Sequence, residues 1–181
     1  MNEGLIPRRY AKALYKVAAE RGDNESLYAL MNKLLDMSLA EPSIVSAVAN
    51  PFVPVEDKFN LLKTAVGEDS QNGLFADFLK LLDRNKRLDM IFAIACQYVK
   101  LYRDENNIYK VDVTSASEMS DEDKSRLKAF IERNLAGGKM EFSSNIDPGL
   151  IGGFTVTIDN RKLDASVSNE LKQLRVNLLN Q

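Results

Sequence analysis

The hydrophobic periodicity of this chain changes at Asn106-Asn107, and that change excludes a uniform bundle or a single sheet. Up to Glu105, apolar residues recur three and four apart, the spacing of an amphipathic helix. From Ile108 to Thr114 they alternate with period two in a β-rich run, the spacing of a half-buried strand. A chain of 181 residues has room for two small domains. The reading is therefore mainly α: a six-helix N-terminal bundle over 1–105, followed by a small α+β domain over 106–181.

In the first part, residues 5–21 read as a helix with Ile6, Tyr10, Ala13, Leu14, Val17 and Ala18 on one face and Arg8, Lys12, Lys16 and Glu20 on another. Gly22 ends it as a C′ residue. A second helix covers about 25–39, and a third starts near Pro42. Asn50-Pro51 breaks the chain, since the residue before a proline disfavours helix. Pro54 is placed in the first turn of a fourth helix. A fifth runs from Leu74 to Arg84, with Phe75, Phe78, Leu79 and Leu82 on a broad apolar face. The sixth, about 88–105, is apolar nearly all round between Met90 and Cys96, which places it centrally.

After the change of period, Ser120 caps a helix whose first turn carries Asp121, Glu122 and Asp123, facing the positive end of the macrodipole. Its buried face is expected from Leu127, Phe130, Ile131 and Leu135. Met140–Ile146 and Phe154–Ile158 read as further strands, separated by an Asp147-Pro148-Gly149 turn. A last helix over about 168–179 is expected to bury Leu171, Leu174 and Leu178.

Composition narrows the chemistry. Histidine and tryptophan are absent, which removes the commonest general base and metal ligand. The single cysteine precludes an intrachain disulfide and fits a reducing compartment. Residues 1–105 carry 14 Lys+Arg against 15 Asp+Glu, and residues 106–181 carry 10 against 11, so neither part is a basic nucleic-acid binder. No signal peptide is visible, and the most apolar run, Met90–Cys96, is far short of a bilayer span.

The remaining candidate groups have plain readings. Cys96, inside the apolar run of the sixth helix, is expected to be a buried small hydrophobe. Gly149, Gly152 and Gly153 lack the spacing of a phosphate loop and fit a turn with a close strand approach. Asp159, Asp164 and Glu170 have no fixed metal geometry, and a polar hairpin accounts for the first two. Arg84, Lys86 and Arg87 suit a helix C-terminus and its solvated loop.

Several stretches together resemble the delta subunit family of ATP synthase, whose mitochondrial equivalent is the oligomycin-sensitivity-conferring protein. They are Arg9-Tyr10-Ala11-Lys12-Ala13-Leu14, Asn50-Pro51 with Lys58, and Phe78-Leu79-Lys80-Leu81-Leu82 with Asn85 and Arg87. The most specific is Asp147-Pro148-Gly149-Leu150-Ile151-Gly152-Gly153-Phe154, followed by Asp164-Ala165-Ser166-Val167 and Leu171. The resemblance covers essentially the whole chain in the expected order. Ala165 stands where the family commonly has glycine.

The resemblance implies a non-catalytic peripheral-stalk subunit of the proton-translocating ATP synthase, with no cofactor and no metal. It further implies that the N-terminal bundle binds the N-terminal helix of a head alpha subunit between its first and fifth helices. The C-terminal domain would hold the stalk's b subunits. Membrane association, at the cytoplasmic face of the inner (plasma) membrane, would come only through the complex. Mapped onto matching positions, the groove candidates are Tyr10, Ala13, Leu14, Phe78, Leu79 and Leu82; the C-terminal motif contributes Gly149, Gly152, Gly153, Asp164 and Ser166. The rival readings from the residues alone are a generic helical-bundle adaptor and an RNA-binding regulator using Arg84, Lys86 and Arg87.

Overall fold

Gly22 shows how the chain writes its own helix ends. It lies at φ +73°, and its N–H bonds to Ala19 O while Asp23 N–H reaches Ala18 O at 2.9 Å, the paired bonds of a Schellman cap. In the computed structural model, which describes residues 4–67, 73–134, 137–159, 161–169 and 171–172, that cap closes α1 (Leu5–Arg21). The chain divides into two compact units, Met1–Asp104 and Glu105–Gln181, and is mainly helical with one four-stranded sheet.

The described elements of the first unit continue with α2 (Asn24–Ala40), α3 (Pro42–Ala49), α4 (Val55–Val66) and α5 (Gly73–Arg84). A 3-10 turn (Leu88–Met90) leads into α6 (Ile91–Asn106), whose last turn crosses the division between the units. Pro42 sits at the start of α3, where its missing N–H costs nothing. Pro54 does not enter the first turn of α4 as expected: at ψ 145° it is the extended residue before the helix, which begins at Val55. Leu30, Leu34, Leu62, Phe75, Leu82 and Ile94 are among the residues fully buried at the centre.

An aromatic seam joins α1, α2 and α6. Tyr28 stacks on Tyr102 at 4.2 Å, and Tyr15 packs tilted against Tyr98 and edge-on to Tyr102. Arg103 Nε donates to the Tyr28 hydroxyl at 2.9 Å, and the buried Tyr98 hydroxyl donates to Asn24 at 3.3 Å. Burial, then the neighbouring Tyr15 and Tyr102, drive the Tyr98 hydroxyl far above its ordinary pKa.

Two expectations for this unit change. The buried stripe of α1 is Pro7, Ala11, Leu14 and Ala18, so Ala13 and Val17 face outward. Helix α6 buries Ile91, Ile94, Ala95, Tyr98 and Val99 but exposes Ala93 and Cys96. Its apolar run is wider than the face its neighbours cover, and Cys96 falls on the uncovered side.

The second unit contains β1 (Ile108–Ser115), α7 (Asp121–Asn134), β2 (Lys139–Ile146), β3 (Gly153–Ile158) and β4 (Arg161–Ser166). Asn107 at φ +51° turns the chain into β1, a left-handed conformation that asparagine tolerates well. The sheet order is β2-β1-β3-β4, with β1 parallel to β2 through α7 and antiparallel to β3. Ser120 caps α7: its Oγ accepts from Asp123 N–H at 3.1 Å. Val111, Val113, Ile131 and Val156 form the core, with Leu127 packed against it.

Here too the structure corrects the sequence reading. Phe130 is 64% exposed, while the neighbouring Ile131 is buried in the core; Leu135 lies outside the described residues. Strand β4 was not anticipated beyond a polar hairpin. It pairs Ile158 with Arg161 across a two-residue connection that starts at Asp159, φ +49°; Asn160 is outside the described residues. Residues 167–169 and 171–172 are helical, and Leu171 is 56% exposed rather than buried. Leu174 and Leu178 are outside the described residues.

Candidate functional site

The apolar positions that α1 does not bury meet a matching set on α5. Tyr10, Ala13, Leu14 and Val17 of α1 and Leu74, Phe78 and Leu81 of α5 line a cleft of about 220 Å³, with Arg21 and Asp77 as its polar members. Leu14, Leu74 and Phe78 are nearly buried and form the floor. Ala13, Val17 and Leu81 are exposed, Leu81 at 47%, and form the rim. The Tyr10 ring stands edge-on to Phe78 at 6.5 Å, which ties the two helices together. Ala13 matters by being small: its methyl leaves the space between Tyr10 and Val17 open.

Of the residues mapped from the resemblance, Tyr10, Ala13, Leu14 and Phe78 come together at this cleft. Leu79 and Leu82, at 1% and 0% exposure, point into the bundle and do not line it. The mapping missed Val17, Leu74 and Leu81. Leu74, Phe78 and Leu81 are spaced i, i+4, i+7, a stripe readable from the sequence as one face of α5, beside the Phe75-Leu79-Leu82 stripe that fills the core. Arg87 had been assigned to a solvated loop; it instead lines a second concavity with Ile6, Arg9 and Tyr10. Arg84 is exposed, and Lys86 takes φ +55° in a cap that ends α5, with Arg87 N–H on Leu82 O at 2.8 Å.

The glycine-rich motif of the second unit builds structure. Gly149 N–H bonds to Asp147 Oδ1 at 2.9 Å, closing the turn. Gly153 opens β3 at φ +80°, and any Cβ there would collide with the Ala165 carbonyl oxygen, so only glycine fits. Gly152 O accepts Val167 N–H at 3.1 Å. The buried Ser166 caps the helical turn that follows, with Oγ accepting from Asn169 N–H at 3.3 Å, and Asp164 Oδ1 accepts from Ser166 N–H at 3.1 Å. These Ser166 hydrogen bonds hold the Asp164 carboxyl below its ordinary pKa. Asp159 and Asp164 sit at the turn and at the far end of the same hairpin, and Glu170 lies outside the described residues. No cluster suited to a metal ion occurs among the described residues.

The family model described as ATP synthase delta (OSCP) subunit matches residues 6–178. The chain belongs to the ATP synthase delta (OSCP) subunit family. Similar proteins include ATP synthase subunit delta of Parabacteroides distasonis, 37% identical across 99% of this chain and 98% of that one. The protein of the same description from Phocaeicola vulgatus is 32% identical across 95% and 92%. A chain in the mitochondrial ATP synthase hexamer of Toxoplasma gondii superposes with a TM-score of 0.73 over 96% of this chain and 97% of that chain; at 22% identity the likeness carries the fold. The family is a structural, non-catalytic part of the ATP synthase peripheral stalk. No helix among the described residues is long and apolar enough to cross a membrane.

Proposed function

We propose that the chain is the static joint of the peripheral stalk, with the cleft between α1 and α5 receiving the N-terminal helix of a head alpha subunit. The observation that carries this reading is the exposed apolar rim of that cleft, Ala13, Val17 and Leu81, above a buried floor of Leu14, Leu74 and Phe78. A helix lays i, i+4 and i+7 side chains into a groove of this kind. Its apolar anchors would supply slow dissociation under load with no reactive group, and nanomolar affinity corresponds to about −12 kcal/mol. The second unit, 106–181, would hold the C-terminal ends of the b subunits. Bound on both sides, the chain would lie at the cytoplasmic face of the plasma membrane, held there by the complex.

The test is calorimetric titration of the full chain with a peptide of the synthase's alpha-subunit N-terminal helix. One-to-one binding that is lost in Ala13→Trp, with an unchanged thermal melt, is expected. A folded protein that binds no peptide, or an Ala13→Trp variant of normal affinity, would overturn the reading.

A further inference from the structure

The concavity beside the cleft has a different chemistry. Arg9 and Arg87 face it together with Ile6, and it shares Tyr10 with the apolar cleft, so the two are continuous along α1. Neither guanidinium is ion-paired with a carboxylate among the described residues. Arg87 Nη1 has only Met90 Sδ, at 3.9 Å, a weak acceptor. At the other end of the cleft the lining charges are mixed, Arg21 with Asp77. The groove therefore has one cationic end and one electrically balanced end.

We propose that Arg9 and Arg87 form a carboxylate site that takes an acidic side chain of the docked helix and so fixes its direction and register. This rests on the groove reading above. Two guanidinium forks lining one concavity suit a carboxylate, which accepts charge-assisted bonds from both. The occupant is a helix rather than a free anion because the site is one end of an apolar groove: the ligand that uses both must carry an apolar face and an anion on one rigid body. Arg9 precedes Val17 by two turns of α1, about 12 Å at about 1.5 Å per residue. A guest lying along α1 would place its acidic residue about two turns from the side chain that packs on Val17. Reversed in the groove, the same helix would leave its carboxylate at the balanced Arg21–Asp77 end, without the two guanidinium partners, so the orientation that reaches Arg9 and Arg87 is favoured.

The experiment compares two peptides on two proteins. One peptide is the alpha-subunit N-terminal helix, and the other is the same helix with every Asp and Glu replaced by its amide. The proteins are the full chain and its Arg9→Gln/Arg87→Gln variant, each shown folded by thermal melt. The expected result is that the variant binds the acidic peptide about tenfold more weakly, the worth of roughly one charge-assisted hydrogen bond. The amide peptide is expected to bind both proteins alike, and Arg9→Lys/Arg87→Lys to restore part of the loss. Equal binding of the two peptides by the unaltered chain overturns the proposal, as does undiminished affinity of the Gln variant. Competition by inorganic phosphate beyond that of sodium chloride at equal ionic strength also overturns it, because the pocket is then a free-anion site. If the folded chain binds neither peptide, the groove reading itself fails and takes this inference with it, an outcome distinct from a loss confined to acidic side chains.

Discussion

Leu81 and Leu82 are adjacent in sequence and opposite in role, and truncating each separates binding from folding. Leu82 is wholly buried among the bundle helices, so Leu82→Ala removes three packed carbons and leaves a cavity; such changes cost about 2–5 kcal/mol of stability. Leu81 stands on the rim of the cleft at 47% exposure. The roughly half of Leu81 that is already covered contributes to folding, so Leu81→Ala is expected to cost at most about 1.3 kcal/mol of stability, less than Leu82→Ala. Its remaining exposed surface is what a docked helix would cover. Three carbons at about 0.8 kcal/mol each, scaled by the roughly half still open, give about 1.1 kcal/mol, near sixfold in Kd. The assay is urea unfolding of each variant together with calorimetric titration of the alpha-subunit peptide below the unfolding transition. The expected pattern is a large drop in urea midpoint for Leu82→Ala, and for Leu81→Ala a weaker Kd with a clearly smaller drop in midpoint. A Leu81→Ala protein that is as destabilised as Leu82→Ala and binds normally would refute the assignment of that side chain to the groove.

Cys96 is exposed on α6, so a thiol reagent should label it in the folded protein; partial burial raises the thiol's pKa, so labelling should be slower than for a free thiol and accelerate as pH rises. Complete protection in the native state would contradict its placement. Lys86→Gly should raise stability by about 1 kcal/mol, because a left-handed residue costs an L side chain about 1–2 kcal/mol and glycine returns part of that gain as unfolded-state entropy; chemical denaturation reads the difference. Gly153→Ala should destabilise the second unit, since a methyl there meets the Ala165 carbonyl oxygen, and hydrogen exchange at β3 and β4 should report the loosening. Asp164, lowered by Ser166, contributes stability that is present above its ordinary pKa of 3.8 and is lost as pH falls through the folded value. Asp164→Asn should flatten that acid limb in urea midpoints compared between neutral and acid pH.

The parts of the fold that were legible in the sequence carry local, short-range codes. Gly22 after a periodic run, Pro42 at a helix start and Ser120 before three acids each act within a turn of themselves, and each sits where the pattern put it. The misses in burial share one cause. Periodicity reveals how wide an apolar arc is, and tertiary neighbours decide which part of it is covered. On α1 the covered part is Ala11, Leu14 and Ala18; on α6 it excludes Cys96; on α7 it includes Ile131 and leaves Phe130 outside. Strand β4, Arg161-Lys162-Leu163-Asp164-Ala165-Ser166, went unread for another reason. It is an edge strand, and the charges that protect an open edge from pairing with another chain also erase the hydrophobic alternation that marks a strand.

The same distinction separates the motif from the candidate site. The most motif-like stretch of the chain, Gly149–Phe154 with Asp164–Val167, uses its residues on backbone geometry: a turn, a left-handed glycine under a carbonyl, and a capped helical turn. These groups line neither the α1–α5 cleft nor the concavity beside it. The α1–α5 groove, by contrast, is made of ordinary alanine, valine, leucine and aromatic side chains, whose meaning lies in being left uncovered. Changes in the motif should therefore register as lost folding of the second unit with the groove's affinity intact, because the groove lies wholly within the first. Changes on the groove rim should register chiefly as lost affinity in a protein that still folds. A chain whose two kinds of sequence signal divide in this way between holding its own shape and holding a partner needs no reactive residue, and this arrangement suits the static joint proposed above.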